Sequence, residues 1–134
     1  MTSPSGWIVD AMNVIGSRPT GWWRDRRAAV RRLLDATRRL VAVTHEPVTL
    51  VVDGRPSPDL PECEVEGVRV VYAERRGAGA ADDRIVQLVA SEPAPGGVRV
   101  VTSDRALQAR VRRLGAQVVG AREWLRCLDA RAAP

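Results

Sequence analysis

Five acids occur at one kind of place in this sequence. Asp10 ends the apolar run Trp7-Ile8-Val9, and Asp53 ends Val48-Thr49-Leu50-Val51-Val52. Asp82 and Asp83 follow the run Val68 to Ala73 after a short small-residue stretch, and Asp104 follows Val98-Arg99-Val100-Val101-Thr102. If each run is a strand of one parallel sheet, every acid lands on the rim at the carboxyl ends of the strands, where ligands of open α/β sheets bind. Carboxylates gathered there repel one another and raise one another's pKa unless a cation sits between them. An all-oxygen donor set suits a hard divalent ion, so Mg²⁺ or Mn²⁺ is the expected cofactor. Each acid also has a structural reading. Asp82, Asp83 and Asp104 fall in first helical turns, where capping and the helix dipole favour Asp, and Asp53-Gly54 is a turn signal. Asp10 has no such excuse, because it is flanked by apolar residues on both sides.

The elements that must carry these acids follow from the sequence pattern. Asp25 opens a long helix in which Val30, Leu33, Leu34, Thr37, Leu40 and Val41 recur at three- and four-residue steps, with Arg on the other faces. Continuous β-branched runs such as 48–52 suit central parallel strands covered on both sides by helices. A Pro-rich loop from Arg55 to Pro61 precedes a segment, Glu62 to Glu66, expected to add a little edge structure. Helices are expected from Asp82 to Val89, from Ser103-Asp104 through Leu114 with Gly115 as the stop, and from Ala121 to Leu128, with a short strand at 117–119. Gly16 to Gly21 reads as a loop. Strands alternating with helices throughout predict an α/β fold, a mainly parallel sheet of about five strands between helical layers, in one domain over residues 1–134.

Composition narrows the chemistry. The chain has 134 residues, 45% hydrophobic and 28% charged, and no apolar run approaches the roughly 20 residues that span a bilayer. Its N-terminal stretch lacks the pattern of a signal peptide, so the cytoplasm is the expected compartment. One His and two scattered Cys, Cys63 and Cys127, cannot build a zinc site or a Cys/His or Ser/His catalytic arrangement. All 21 basic residues are Arg and the net charge is +5, which points to an anionic partner; Arg pairs with phosphate bidentately and stacks on bases. Codon bias in a GC-rich genome would explain the missing Lys but not the net charge. The same lack of Lys removes receiver domains, haloacid-dehalogenase-type phosphatases and P-loop hydrolases, and Met12 stands where the dehalogenase motif needs a second Asp. Gly77-Ala78-Gly79-Ala80-Ala81-Asp82 starts like a dinucleotide fingerprint but ends on a charge that would oppose a pyrophosphate.

Four ordered motifs, Asp-Ala-Met-Asn-Val-Ile-Gly after an apolar strand, Val-Val-Asp-Gly, Gly-Ala-Ala-Asp-Asp-Arg-Ile and Val-Thr-Ser-Asp-Arg, resemble the NYN domain, and within it the bacterial YacP-like branch of the PIN-like nucleases. The resemblance runs on to Gly115-Ala116 and to the segment from Ala121 to Leu125. It implies a Rossmann-like three-layer α/β/α fold and a metal-dependent ribonuclease. Asp10, Asp82 and Asp104 match the principal acidic positions, with Asp53 and Asp83 as auxiliary acids. Ala11 and Met12 replace the Gly-Tyr common in the family's opening Asp-Gly-Tyr-Asn.

The expected activity is endonucleolytic hydrolysis of RNA, with Asp10, Asp82 and Asp104 as metal ligands. Arg75, Arg76, Arg18 and Arg24 are candidates for gripping the backbone, and Trp22 and Trp23 for stacking on unpaired bases, one of them expected buried and one exposed. Asn13 is a candidate for phosphate binding or for orienting a carboxylate, or equally for an Asx cap of the turn after the first strand, and Ser103, with Thr102, for supporting the metal or capping a helix. The partner is then RNA, single-stranded, and ribosome- or translation-associated RNA is a candidate. The rival class is a non-catalytic RNA-binding or ribosome-associated module.

Overall fold

The structure, a computed structural model, describes residues 6–74 and 79–132, without the side chains of 131 and 132. Its framework is a six-stranded sheet built from β1 (Trp7–Asp10), β2 (Val48–Val52), β3 (Cys63–Val65), β4 (Val68–Tyr72), β5 (Arg99–Val101) and β6 (Gln117–Val119), in the order β3-β4-β2-β1-β5-β6. Five strands are parallel, and β3 pairs antiparallel with β4 at one edge. It is the edge segment expected between Glu62 and Glu66, and it completes the sixth strand.

Helices α1 (Ala11–Gly16), α2 (Arg26–Thr44) and α5 (Ala121–Ala132) cover one face, and α3 (Ala80–Ala90) and α4 (Arg105–Arg113) the other. The strands are apolar on both sides because both are covered: Val9, Leu50 and Val70 face the first layer, with the fully buried Trp124 of α5, whereas Ile8, Val51 and Val100 face Ile85, Val89, Leu107 and Val111. The long helix starts where expected. The Asp25 side chain accepts from the Ala28 N–H at 3.0 Å, satisfying one of the free donors of the first turn. Val30, Leu33, Leu40, Val41 and Thr37 are buried, and the Thr37 hydroxyl donates to the Leu33 carbonyl at 2.7 Å.

Two features depart from the sequence pattern. The chain turns into α1 directly after Asp10, a helix of six residues that is too short to display a period, with Ala11, Val14 and Ile15 buried. Within the segment that precedes α2, Trp22–Arg24 form a 3-10 turn. No helix is long and apolar enough to cross a membrane among the described residues.

Strand order reverses at β1. The connection through α1 and α2 leads outward to β2 and β4, and α3 then returns the chain to β5 on the other side of β1. The carboxyl ends of β1 and β5 therefore border the crevice of a topological switch point, the usual binding position of such sheets.

Candidate active site

Asp10 is the last residue of β1 and is 6% exposed. In register, Val9 lies beside Val101, so the next residues, Asp10 and Thr102, meet across the crevice. The Thr102 hydroxyl donates to Asp10 Oδ2 at 3.0 Å and accepts from the Asp104 N–H at 3.1 Å, which fixes one carboxylate oxygen and the start of α4 through a single buried side chain. Burial pushes the Asp10 carboxyl up to about 7; the Thr102 hydrogen bond opposes the shift, and the charges of Asp82 and Asp53 add to it. Carboxyls raised in this way are concentrated at functional sites.

Asp82 lies in the first turn of α3, after Gly79 takes the left-handed conformation (φ 82°) that admits the turn into the helix. Its pKa is also raised, by burial first and then by Asp104; Arg110 opposes this, and Asp53 and Asp83 add to it. Asp10, Asp82, Asp104 and Asp53 thus share one rim and one electrostatic field, as the strand-end pattern predicts.

They do not close around one point. Asp104 Oδ1 caps α4, accepting from the N–H groups of Ala106 (2.9 Å) and Leu107 (3.1 Å). Asp83 turns to Arg110, whose Nη1 is 3.1 Å from Asp83 Oδ1. Among the described residues no three His, Cys, Asp or Glu side chains are grouped so as to hold a metal ion. The donor chemistry nonetheless fits a hard cation: every donor is a carboxylate oxygen, and the acids that add to the raised pKa of Asp10 (Asp82 and Asp53) and of Asp82 (Asp104, Asp53 and Asp83) exert a repulsion that a divalent charge would relieve.

The residues expected to touch substrate divide. Asn13 Oδ1 accepts from the Ser103 N–H at 2.9 Å, and Ser103 Oγ accepts from the Ala121 N–H at 3.0 Å, so these two side chains stitch the ends of β1, β5 and β6 together. Arg18 pairs with Asp129 of α5. Trp22 is half-buried against the core and close to Gly16, while Trp23 is 59% exposed, edge-on to Trp22 at 6.2 Å between ring centroids. Arg24 is exposed with its guanidinium 6.0 Å from the Trp23 ring centroid. Arg27 and Arg31 of the following helix reach Asp59 in the loop after β2, so this end of α2 and its tryptophans lie toward the acid rim. Arg75 and Arg76 lie outside the described residues. Met12, where the family opening has an aromatic ring, packs against the core. Sequence reasoning missed Arg110, a mid-helix arginine among 21, because nothing local distinguishes it.

A family model of the YacP-like NYN domain matches residues 7–133. The chain belongs to the YacP-like NYN domain family. This NYN domain is similar to the crystal structure of a tryptophan-to-leucine mutant of Rae1 (YacP) from Bacillus subtilis, with a TM-score of 0.76 and 24% identity over 96% of this chain and 77% of that one. A second crystal structure of Rae1 (YacP) from Bacillus subtilis gives a TM-score of 0.70 and 25% identity over 96% and 75%. Comparison with curated proteins found no match to this chain. Membership in a PIN-like nuclease family supports a ribonuclease role for it.

Proposed function

We propose that this NYN domain is a divalent-metal-dependent endoribonuclease that hydrolyses single-stranded RNA at the rim formed by Asp10, Asp82 and Asp104, with Asp53 as the auxiliary acid. The observation that carries the reading is Asp10: a buried carboxyl at a strand end, beside Thr102, in the field of two further acids. A structural carboxylate so buried would be paired with a cation; Asp10, whose side-chain partner is a hydroxyl, is held ready for a charge brought from outside.

Asp10, Asp82, Asp104 and Asp53 would hold Mg²⁺ or Mn²⁺, which when bound lowers the pKa of a water and offsets negative charge on phosphate. The chain's own residues do the rest. Thr102 fixes the Asp10 oxygen that it reaches. Asn13 and Ser103 keep the three strand ends in register, so that the acids keep their spacing while the substrate changes. Trp23 offers an exposed ring on which an unpaired base can stack, and Arg24 beside it a cation for the adjacent phosphate. An Arg-rich surface supplies the salt-dependent attraction that precedes both.

The test is cleavage of a labelled single-stranded RNA by purified protein with Mn²⁺, against Asp10→Asn. Loss of cleavage with retained RNA binding supports the enzyme. Equal cleavage by the variant overturns it, and RNA binding that ignores chelator with no cleavage by either protein favours the non-catalytic RNA-binding module. Ribosome-associated RNA is a candidate substrate, tested by comparing free and ribosome-bound transcripts in the same assay.

A further inference from the structure

We propose that Arg110 is a positioning residue. Paired with Asp83, it ties α3 to α4 and keeps Asp82 beside Asp104, so that Asp83 is a strut and not a member of the metal-holding set. The proposal rests on the nuclease reading for its consequence, although the tie itself does not.

The geometry is specific to these two helices. Asp82 and Asp83 occupy the first turn of α3, and Asp104 is the N-cap of α4, so the two helices each carry one of the principal acids. Asp104 is the foremost charge raising Asp82, which means that the two helix starts repel. Arg110, six residues along α4 from that cap, reaches Asp83 at 3.1 Å, and its charge opposes the repulsion felt by Asp82. Successive helical residues point about 100° apart, so anchoring Asp83 on α4 sets the direction of Asp82 next to it. The N-cap of α3, Gly79, supplies no side-chain cap, and the buried Ala80 and Ala81 offer no polar group with which to anchor this turn.

A half-exposed ion pair contributes little to stability as such, and Arg110 and Asp83 are 42% and 47% exposed. Its worth here is directional. Groups that orient metal-holding side chains without touching the ion typically change affinity or activity by about 10- to 100-fold, which is far more than their part in folding.

The experiment compares wild type with Arg110→Met, Arg110→Lys, Asp83→Asn and the double variant Arg110→Met/Asp83→Asn. Mn²⁺ affinity is measured by calorimetry without RNA, kcat and KM on single-stranded RNA, and hydrogen exchange at the amides of Asp83 to Ile85. Arg110→Met and Asp83→Asn are each expected to weaken Mn²⁺ binding roughly tenfold and to lower kcat by a similar factor with KM unchanged. The double variant should be no worse than either single one, and Lys should restore part of the loss. An Asp83→Asn loss far exceeding that of Arg110→Met would make Asp83 a ligand and overturn the strut, as would an Arg110→Met variant that matches wild type in all three measurements. A wild-type protein that neither binds Mn²⁺ nor cleaves RNA sinks the nuclease reading instead. The strut is then judged by exchange, where faster exchange in Arg110→Met supports it and unchanged exchange overturns it.

Discussion

At the carboxyl edge of the sheet Asp10 is buried with a hydroxyl for a partner, whereas at the amino edge Glu46 is answered in full. Arg99, the first residue of β5, places Nη2 3.1 Å from Glu46 Oε2 and lays its guanidinium 4.5 Å from the centroid of the Trp7 ring. Both edges bring charge to the ends of the same two strands, β1 and β5. At the amino edge each charge has its opposite and a ring to lie on, which is how a fold stabilises itself. At the carboxyl edge Asp10 and Asp82 are both raised, by burial first and by neighbouring acids after it, and Arg110 is paired with Asp83. Charge left unanswered inside a fold is costly, so it persists where something other than stability requires it.

The largest test of this contrast is catalytic. Asp10→Asn keeps the size and the hydrogen-bonding oxygen but removes the charge, and it should lower cleavage on the order of 10³-fold, measured as kcat on single-stranded RNA with Mn²⁺. The same substitution should do the reverse to stability. The folded pKa of Asp10, about 7, lies above its ordinary value of 3.8. The folded state therefore holds the proton more tightly, and stability falls as pH rises from about 4 to about 7, by up to about 4 kcal/mol. Asp10→Asn should abolish that slope: it unfolds at a higher temperature than wild type at pH 8 and at the same temperature near pH 4, read by thermal denaturation. Addition of Mn²⁺ at pH 8 should recover the difference in wild type and leave the variant unmoved.

A smaller effect separates the rim from the surface beside it. Trp23→Ala should weaken binding of single-stranded RNA by about tenfold in an equilibrium titration and leave duplex RNA unaffected, since a stacking ring acts on unpaired bases. Its thermal stability should stay within about 0.5 kcal/mol of wild type, because the ring is exposed. At the amino edge Glu46→Gln should cost about 1 kcal/mol or less in denaturant unfolding and nothing in kcat, as expected of a partly exposed pair far from the acids. A loss of activity there would erase the distinction between the two edges.

Much of this was legible before any coordinates. The β-branched runs at 48–52 and 68–72 announce strands because such residues, apolar on both faces, are stable only between covering layers, and the acid after each run marks the rim. Asp25 declares the start of α2 because its side chain serves donors three residues away, a distance that the chain itself fixes. Of the Trp22-Trp23 pair, Trp23 is exposed as expected, whereas Trp22 is half-buried and not fully enclosed. By contrast α1 left no trace, since six residues hold under two turns, and packing of Val14 and Ile15 decides it. Asn13 suits phosphate binding or the orienting of a carboxylate by its type, and Ser103 suits metal support or a helix cap; the structure uses both as braces between strand ends.

The sequence by itself determined the alternation of strands and helices, the family, and the delivery of Asp10, Asp53, Asp82 and Asp104 to one edge. All of these rest on local periodicity and on the parallel topology it enforces. Only the tertiary structure decided that Asp10 is buried against Thr102, 92 residues away, that Asp83 faces Arg110, and that the carboxylates share a field without closing on a point. Those outcomes depend on which side chains meet across the crevice, and a contact between distant residues has no spacing in the sequence from which to be read.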